Sequence, residues 1–466
     1  MDSGSYVFRQ LAGLICSATI TISSAAGQTA WTEQFPSQSP SARTAHGLVY
    51  HQKLQRTVLF GGGVNTGGTF NDTWVWDGTN WSQLAIPNAP PPRYGHSMVY
   101  DSDRHVIVVF GGGDVARNLY RDTWEFDGVS WFQRASTGPS PRWNHGMAYD
   151  PIRKKTVLFG GNNLTRSFGD TWEWDGSRWR EMAATSPPPP RMGPAMAFDG
   201  TTGKIILAGG YGWGASFLVD SGCWLWDGQR WWDMGLSPVI AGHYSAAMTW
   251  DESRQRVVKF GGVTLFSGVG YLNQSIEWTP GWSRRAMMSS PTERAWSPLA
   301  YDAVRRKVVM FGGSNSVVLG DTQEYGAVIP ATVTSFGAGC AGSAGVPSMA
   351  VTGGLPWLRE RVSVTVNNLA AGSPTVLAFG ASNSTWGARS LPYSLGQLAP
   401  GCDVLASQEG LLPLVNAAGV AATSIGIPPN PAVAGVSLYL QGFTLDPVNP
   451  LGMTLSNALD LRIGSK

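Results

Sequence analysis

An arginine recurs through the first two thirds of this 466-residue chain, at Arg43, Arg93, Arg142, Arg191 and Arg294, with His243 in the one remaining place. A guanidinium is a planar fork of N–H donors that matches the oxygens of carboxylates and phosphates. Five of them with one imidazole, set around a single opening, would make an anion site. The same groups could instead be used up inside the fold. Asp72, Asp122, Asp170 and Asp321 recur in segments that keep the arginine, and the His243 segment has lost both partners. Recurrence in nearly every segment favours internal pairing.

Residues that differ between segments are better candidates for ligand contact, because building the repeat does not demand them. Thr44, Tyr94, Trp143, Met192 and Tyr244 come directly after the arginine slot. A second variable set comprises Asn65, Asn118, Asn162, Asn163, Tyr211, Trp213, Tyr271 and Asn315. Aromatic faces stack on sugar rings, and amides bond to hydroxyls. The same surfaces would suit a peptide, or would merely pack between loops. The candidate ligand-binding set is therefore Tyr94, Trp143, Tyr211, Trp213, Tyr244 and His243, with the five arginines. No catalytic residue, metal ligand or cofactor is expected.

The elements that must hold these residues repeat with them. A tryptophan closes each segment, at Trp31, Trp81, Trp131, Trp179, Trp231 and Trp282. A period near 50 residues with Gly-Gly doublets and paired Trp points to a propeller of four-stranded blades. In one segment His96–Tyr100 reads as the inner strand and Val106–Phe110 as the second, stopped by Gly111-Gly112. Asp122–Phe126 reads as the third, Asp127-Gly128 as a hairpin, and Trp131 starts the fourth. The loops after Gly-Gly and the linkers before the inner strand should share one face. The sixth segment stops without its fourth-strand Trp, while Trp31–Phe35 stands unpaired before the first. The N-terminal strand is expected to complete blade six and remove its open edge.

Phe-Gly-Gly, then Asp-Thr-Trp-x-Trp-Asp-Gly, then Trp, resembles the Kelch repeat over residues 31–326. The fifth segment departs most, with His243 for Arg, Ala246 for the inner-strand His and Asn273-Gln-Ser-Ile-Glu277 for the Asp-Thr-Trp stretch. The resemblance implies that the arginine slot faces one end of a central channel, which binds acidic peptides in some members. It also implies a runner-up function, since six-bladed Kelch-like proteins include sialic-acid epimerases. An Arg-lined mouth would suit a carboxylated sugar, with His243 as the one candidate acid or base. The galactose-oxidase copper site is not matched, because Cys223 falls in a blade-building slot. His46, His96 and His145 share one repeat slot and read as structural.

The rest of the chain bounds the setting. Residues 1–26 have an apolar stretch, Leu11–Ile22, ending in small residues, the pattern of a signal peptide. Secretion or a periplasmic or cell-surface location is expected, with no membrane span. Beyond residue 329 charges thin out and short alternating stretches such as Arg361–Val366 read as strands of a small β-sandwich or jelly roll. Cys340 and Cys402 are the expected disulfide there. The domains are thus 1–26, 27–328 and 329–466, in an all-β chain. A net charge of +2 with 14% charged residues gives no case for nucleic acid. A monomeric binding protein for a glycan or a protein is the leading expectation, a sugar-acid epimerase the alternative.

Overall fold

The computed structural model describes residues 28–464, apart from 65–66, 213–221, 238, 241, 265–269, 280, 286–289, 329–330, 359, 396–401 and 429–432. The expected signal peptide, Asn65 and Trp213 lie outside the described residues. Contacts divide the chain into two compact units, Thr29–Gly326 and one built on Ala327–Lys466.

Among the described residues, the first unit holds six four-stranded antiparallel sheets and two short two-stranded ones, Gly63–Val64 with Gly68–Thr69 and Val263–Thr264 with Gly270–Tyr271. Blade 2 is typical, with Ser97–Asp101, Val106–Phe110, Thr123–Phe126 and Trp131–Ala135 in order from the inside outward. The six inner strands neighbour one another around a common axis, and the last lies against the first. Crowding at the axis selects small residues. A Cβ on Gly47 would meet Met98 Sδ of the next blade at 2.5 Å, and one on Gly146 would meet Met196 Sδ at 2.5 Å.

Second strands are covered on both faces and read as continuous apolar runs. Val58 and Phe60 pack against Ile107, Val109 and Trp131 of blade 2. Leu59, between them, packs the other way against Val309 and Phe311 of blade 6. Each such side chain contributes about 1.5–3 kcal/mol on burial. The outer strands bury their leading Trp, fully in four blades and partly at Trp179 and Trp282, and expose the residues behind it, as in Trp81–Leu84. That Trp bridges two blades. Trp131 stacks on Phe126 of its own blade at 5.1 Å and on Phe60 of blade 1 at 4.8 Å. Its indole N–H donates to Thr73 Oγ1 of blade 1 at 3.1 Å.

Blade 6 takes its fourth strand from Gln28–Gln34, in the order Gln28–Gln34, Thr322–Val328, Lys307–Phe311, Leu299–Asp302. Trp31 repeats the bridging contacts. It lies 5.1 Å from Tyr325 and 4.8 Å from Phe260 of blade 5, and its indole N–H donates to Ser275 Oγ at 2.7 Å.

The second unit has a five-stranded and a four-stranded antiparallel sheet. Val362, Val364 and Val366 of Arg361–Asn367 share a core with Leu377, Leu440, Leu459 and Leu461 of the other sheet. Alternation in Arg361–Asn367 arises here, since every second residue faces that core. Cys340 and Cys402 form a buried disulfide across 62 residues of sequence.

If the N-terminal strand closes blade 6, Trp31→Ala should cost about as much as Trp131→Ala. Large-to-small changes of buried aromatics cost about 3–5 kcal/mol. Urea unfolding of the two variants checks this. A Trp31→Ala protein as stable as wild type would show the strand to be dispensable.

Candidate functional site: the channel mouth

The arginine slot is the joint between blades. Arg93 Nη1 donates to Asp122 Oδ1 at 2.7 Å and to the Gly111 carbonyl at 3.0 Å, and Nη2 donates to Asp122 Oδ2 at 2.8 Å. Its Nε donates to the Pro91 carbonyl, and the guanidinium lies over Tyr120. Its own carbonyl accepts from Gly62 N–H of blade 1 at 2.9 Å. Arg43–Asp72, Arg142–Asp170 and Arg294–Asp321 repeat the pair. Arg191 keeps the bond to the Gly209 carbonyl and lies over Trp224. All five arginines are at most 1% exposed. Burial by itself would raise the Asp122 carboxyl, but the Arg93 bonds and charge, with the Trp124 indole, hold it below the usual carboxylate range. The anion-site reading of Arg43, Arg93, Arg142, Arg191 and Arg294 is therefore corrected. Their donors are spent in the wall, and none reaches the opening.

The glycine directly after each second strand is required by this joint. A Cβ on Gly209 would lie 2.1 Å from the His243 carbonyl, and the residue sits at φ 68°.

One residue after each arginine slot, the chain bonds to the residue after its own Gly-Gly. Tyr94 N–H donates to the Gly113 carbonyl at 2.9 Å and Trp143 N–H to the Asn162 carbonyl at 3.1 Å. Met192–Tyr211 and Tyr244–Val263 pair likewise. This brings the two variable sets together at one rim. Tyr94 and Trp143 stack at 5.6 Å on blades 2 and 3, and Tyr211 and Tyr244 at 5.6 Å on blades 4 and 5. The Trp143 indole N–H and Asn162 Oδ1 are buried without protein partners.

Two residues after each slot, all six blades adopt left-handed backbone, at Ala45, Gly95, Asn144, Gly193, Ser245 and Trp296, with φ from 50° to 65°. Each of their N–H groups donates to the carbonyl of its counterpart on the preceding blade, from Gly95 to Ala45 at 2.8 Å around to Ala45 to Trp296 at 3.0 Å. The circle of six bonds closes. These residues line the top of a channel enclosing about 190 Å³.

Trp296 was not among the candidates read from the sequence. It contacts Tyr244 and Tyr271 edge-on, both at 6.4 Å. A bulky residue at φ 52° is an outlier that costs about 1–2 kcal/mol. Its five counterparts are Ala, Gly, Asn, Gly and Ser, a contrast that becomes an anomaly only with the left-handed backbone they share.

His243 is removed from ligand chemistry. It is 5% exposed, and its Nδ1 lies 3.0 Å from Lys259 Nζ inside blade 5. Burial, then the charges of Lys259 and Arg284, press its pKa down to about 3. Lys259 takes the slot of Leu59, Val109, Leu158, Leu207 and Met310, is 1% exposed, and burial lowers it to about 7. His46, His96 and His145 line the channel, their ring nitrogens without protein partners. They meet Phe311, Phe60 and Phe110 of the preceding blade at 5.4–5.8 Å, and burial keeps all three neutral. Cys223 is a buried free thiol pushed up to about 12 by burial. Among the described residues no three His, Cys, Asp or Glu could hold a metal ion, and no helix is long and apolar enough to cross a membrane.

A second belt between blades escaped the sequence reading. Arg104 Nε donates to Asp101, its Nη1 donates to Glu125, and the Trp174 indole of blade 3 donates to the same Glu125. The Asp302–Arg305–Glu324–Trp76 group does the same between blades 6 and 1.

Residues 55–262 match the model of the KLHDC2/KLHL20/DRC7 Kelch-repeats domain. Among solved structures, that of YjhT matches at 14% identity with a TM-score of 0.48, covering 62% of this chain and 95% of its own. No curated protein matches.

Arg93→Ala should destabilise the protein by on the order of 3–5 kcal/mol, because Asp122 is left as an unpaired, largely buried charge. Arg93→Lys should also destabilise, since an ammonium cannot make the fork. Urea melts decide, and an unchanged midpoint in both would return the arginines to the ligand.

Lys259→Met should stabilise. Lys259 titrates near 7 in the folded chain and near 10.5 unfolded. Below pH 7 both states hold the proton and the cost of the buried cation is complete. From 7 to 10.5 only the unfolded state holds it, so wild-type stability rises with pH. The gap between variant and wild type should be on the order of 5 kcal/mol at pH 6 and shrink by most of that toward pH 10. Melts at pH 6, 8 and 10 measure it.

Proposed function

We propose that this Kelch-type propeller is a secreted binding module, without catalysis, that takes a glycan at its aromatic channel mouth. The observation that carries the reading is the division of chemistry between wall and rim. The repeated charges are sunk in ion pairs, while Tyr94, Trp143, Tyr211, Tyr244, Tyr271 and Trp296 gather at the opening. Aromatic faces beside amides and hydroxyls recognise sugars without a net charge on either side. A disulfide in the second unit fits an oxidising compartment.

Two facts weigh against the sugar-acid epimerase. That reaction needs a cation for the carboxylate and a proton-transfer group in reach of the substrate. The arginines are committed to Asp72, Asp122, Asp170 and Asp321 or to backbone carbonyls, and His243 faces Lys259 in the wall.

The test is a glycan array with purified protein, then titration of the best binder into Tyr94→Ala and Trp143→Ala. Both variants should bind on the order of tenfold more weakly or worse, as truncated aromatic anchors do. Their melting temperatures should stay near wild type. Silence on every glycan would favour a protein partner. A collapse of stability in both variants would make the pair a packing contact.

A further inference from the structure

The mouth contains one residue that its backbone does not want. Six equivalent positions adopt left-handed φ, and five are filled by glycine or by small or amide side chains. Gly95 and Gly193 show what suits the position, and an added Cβ would meet Asn144 Oδ1 at 3.2 Å and Ser245 Oγ at 2.7 Å there. Blade 6 has Trp296 instead, at φ 52°. Strain of this kind persists where surrounding contacts or function retain it. The contacts here are modest. Tyr244 and Tyr271 meet the indole edge-on at 6.4 Å, and Trp296 itself is half-buried. It belongs to none of the apolar clusters that hold the blades together.

The cavity below it sets the size of what can enter. It encloses about 190 Å³, below the roughly 300–1,000 Å³ of sites for drug-sized ligands. One sugar ring fits that scale, and a chain of rings does not. Three blades away, across the axis from Trp296, stands Asn144, and Ser245 occupies the neighbouring blade. Trp296 lines this cavity together with Asn144 and Ser245, and an indole with an amide and a hydroxyl offers stacking to C–H groups and bonds to hydroxyls. No free carboxylate or guanidinium joins them in the lining of this cavity.

We propose that Trp296 is the stacking platform for a single uncharged pyranose, so that the mouth reads the terminal ring of a glycan end-on, with Asn144 and Ser245 bonding its hydroxyls. This rests on the glycan reading above and narrows it to one ring and one residue. Tyr94 and Trp143 then touch the next rings, outside the channel. Trp296→Gly relieves the backbone, because glycine adopts this φ freely.

The experiment uses saturation-transfer NMR on the full chain with neutral methyl glycosides: glucoside, galactoside, mannoside, xyloside, fucoside and N-acetylglucosaminide. A thermal melt of each protein accompanies it. At least one glycoside should show transfer to wild type, and its affinity should fall on the order of tenfold or more in Trp296→Gly. The melting temperature of that variant should equal or exceed wild type. Asn144→Gly, which keeps the backbone geometry, should weaken the same glycoside. A Trp296→Gly protein that melts clearly lower would make the indole a packing plug and overturn the proposal. Equal glycoside binding by wild type and Trp296→Gly would overturn it too. If no methyl glycoside binds, but array glycans bind and are lost in Tyr94→Ala and Trp143→Ala, the glycan reading stands and end-on recognition fails.

Discussion

Every blade depends on what happens at the arginine slot, where one residue makes two unrelated kinds of bond. Its carbonyl accepts the second glycine N–H of the blade before, as Arg93 does from Gly62 and Arg43 from Gly313. Its guanidinium holds the first glycine carbonyl and the third-strand aspartate of its own blade. The first bond joins blades, and the second ties a blade's linker to its own sheet. Because the next residue pairs with the strand end after Gly-Gly, the rim inherits its position from this joint. The left-handed circle comes one residue later and inherits it again. Placement of the mouth is thus a consequence of a buried ion pair that never touches it.

Blade 5 shows which of the two bonds is indispensable. There His243 replaces arginine and Gln274 replaces aspartate, yet the Gly210 N–H still donates to the His243 carbonyl at 3.0 Å. The backbone bond survives and the side-chain clamp does not. The losses cluster at the interface between blades 4 and 5. Gln274 Oε1 is buried without a partner, Cys223 fills the Thr slot, and the Trp282 indole N–H consequently has no hydroxyl to meet. Ala208 stands where the other five blades have phenylalanine. Lys259 is the one charge in an otherwise apolar set of positions, and its amine meets His243. A buried cation without a carboxylate is a local weakness that intact joints elsewhere in the ring can carry.

Much of this was legible in the chain because a repeat displays its own alignment. The arginine and aspartate occur together in four segments and are lost together in the fifth, while the fourth keeps Arg191 with Gly222 in the aspartate slot. The four shared pairs are ion pairs. Trp31 was legible as a missing fourth strand for the same reason. The Asp-x-x-Arg-to-Glu belt was not, because its members lie on three elements and its last partner, such as Trp174 for Glu125, belongs to the next blade. Single segments read as a turn and a strand give no hint of that meeting. Trp296 is hidden by its column. Variation beside the arginine, where Tyr94 and Trp143 stand, is visible as side-chain chemistry, while the greater anomaly is one residue further, in a column whose backbone conformation no sequence prints.

That column also explains why the rim can vary without loss of the fold. Its constraint is on φ and on the N–H-to-carbonyl circle, not on side-chain identity. Glycine and asparagine satisfy such a conformation most easily, alanine and serine at some cost, tryptophan worst. A fold that needed only the circle would drift toward glycine at all six places. Two are glycine, and the residue with the largest penalty sits against the two other aromatics of its side of the mouth. The wall cannot supply the reason, since its clusters omit Trp296. What remains is the channel, which Trp296 helps to line.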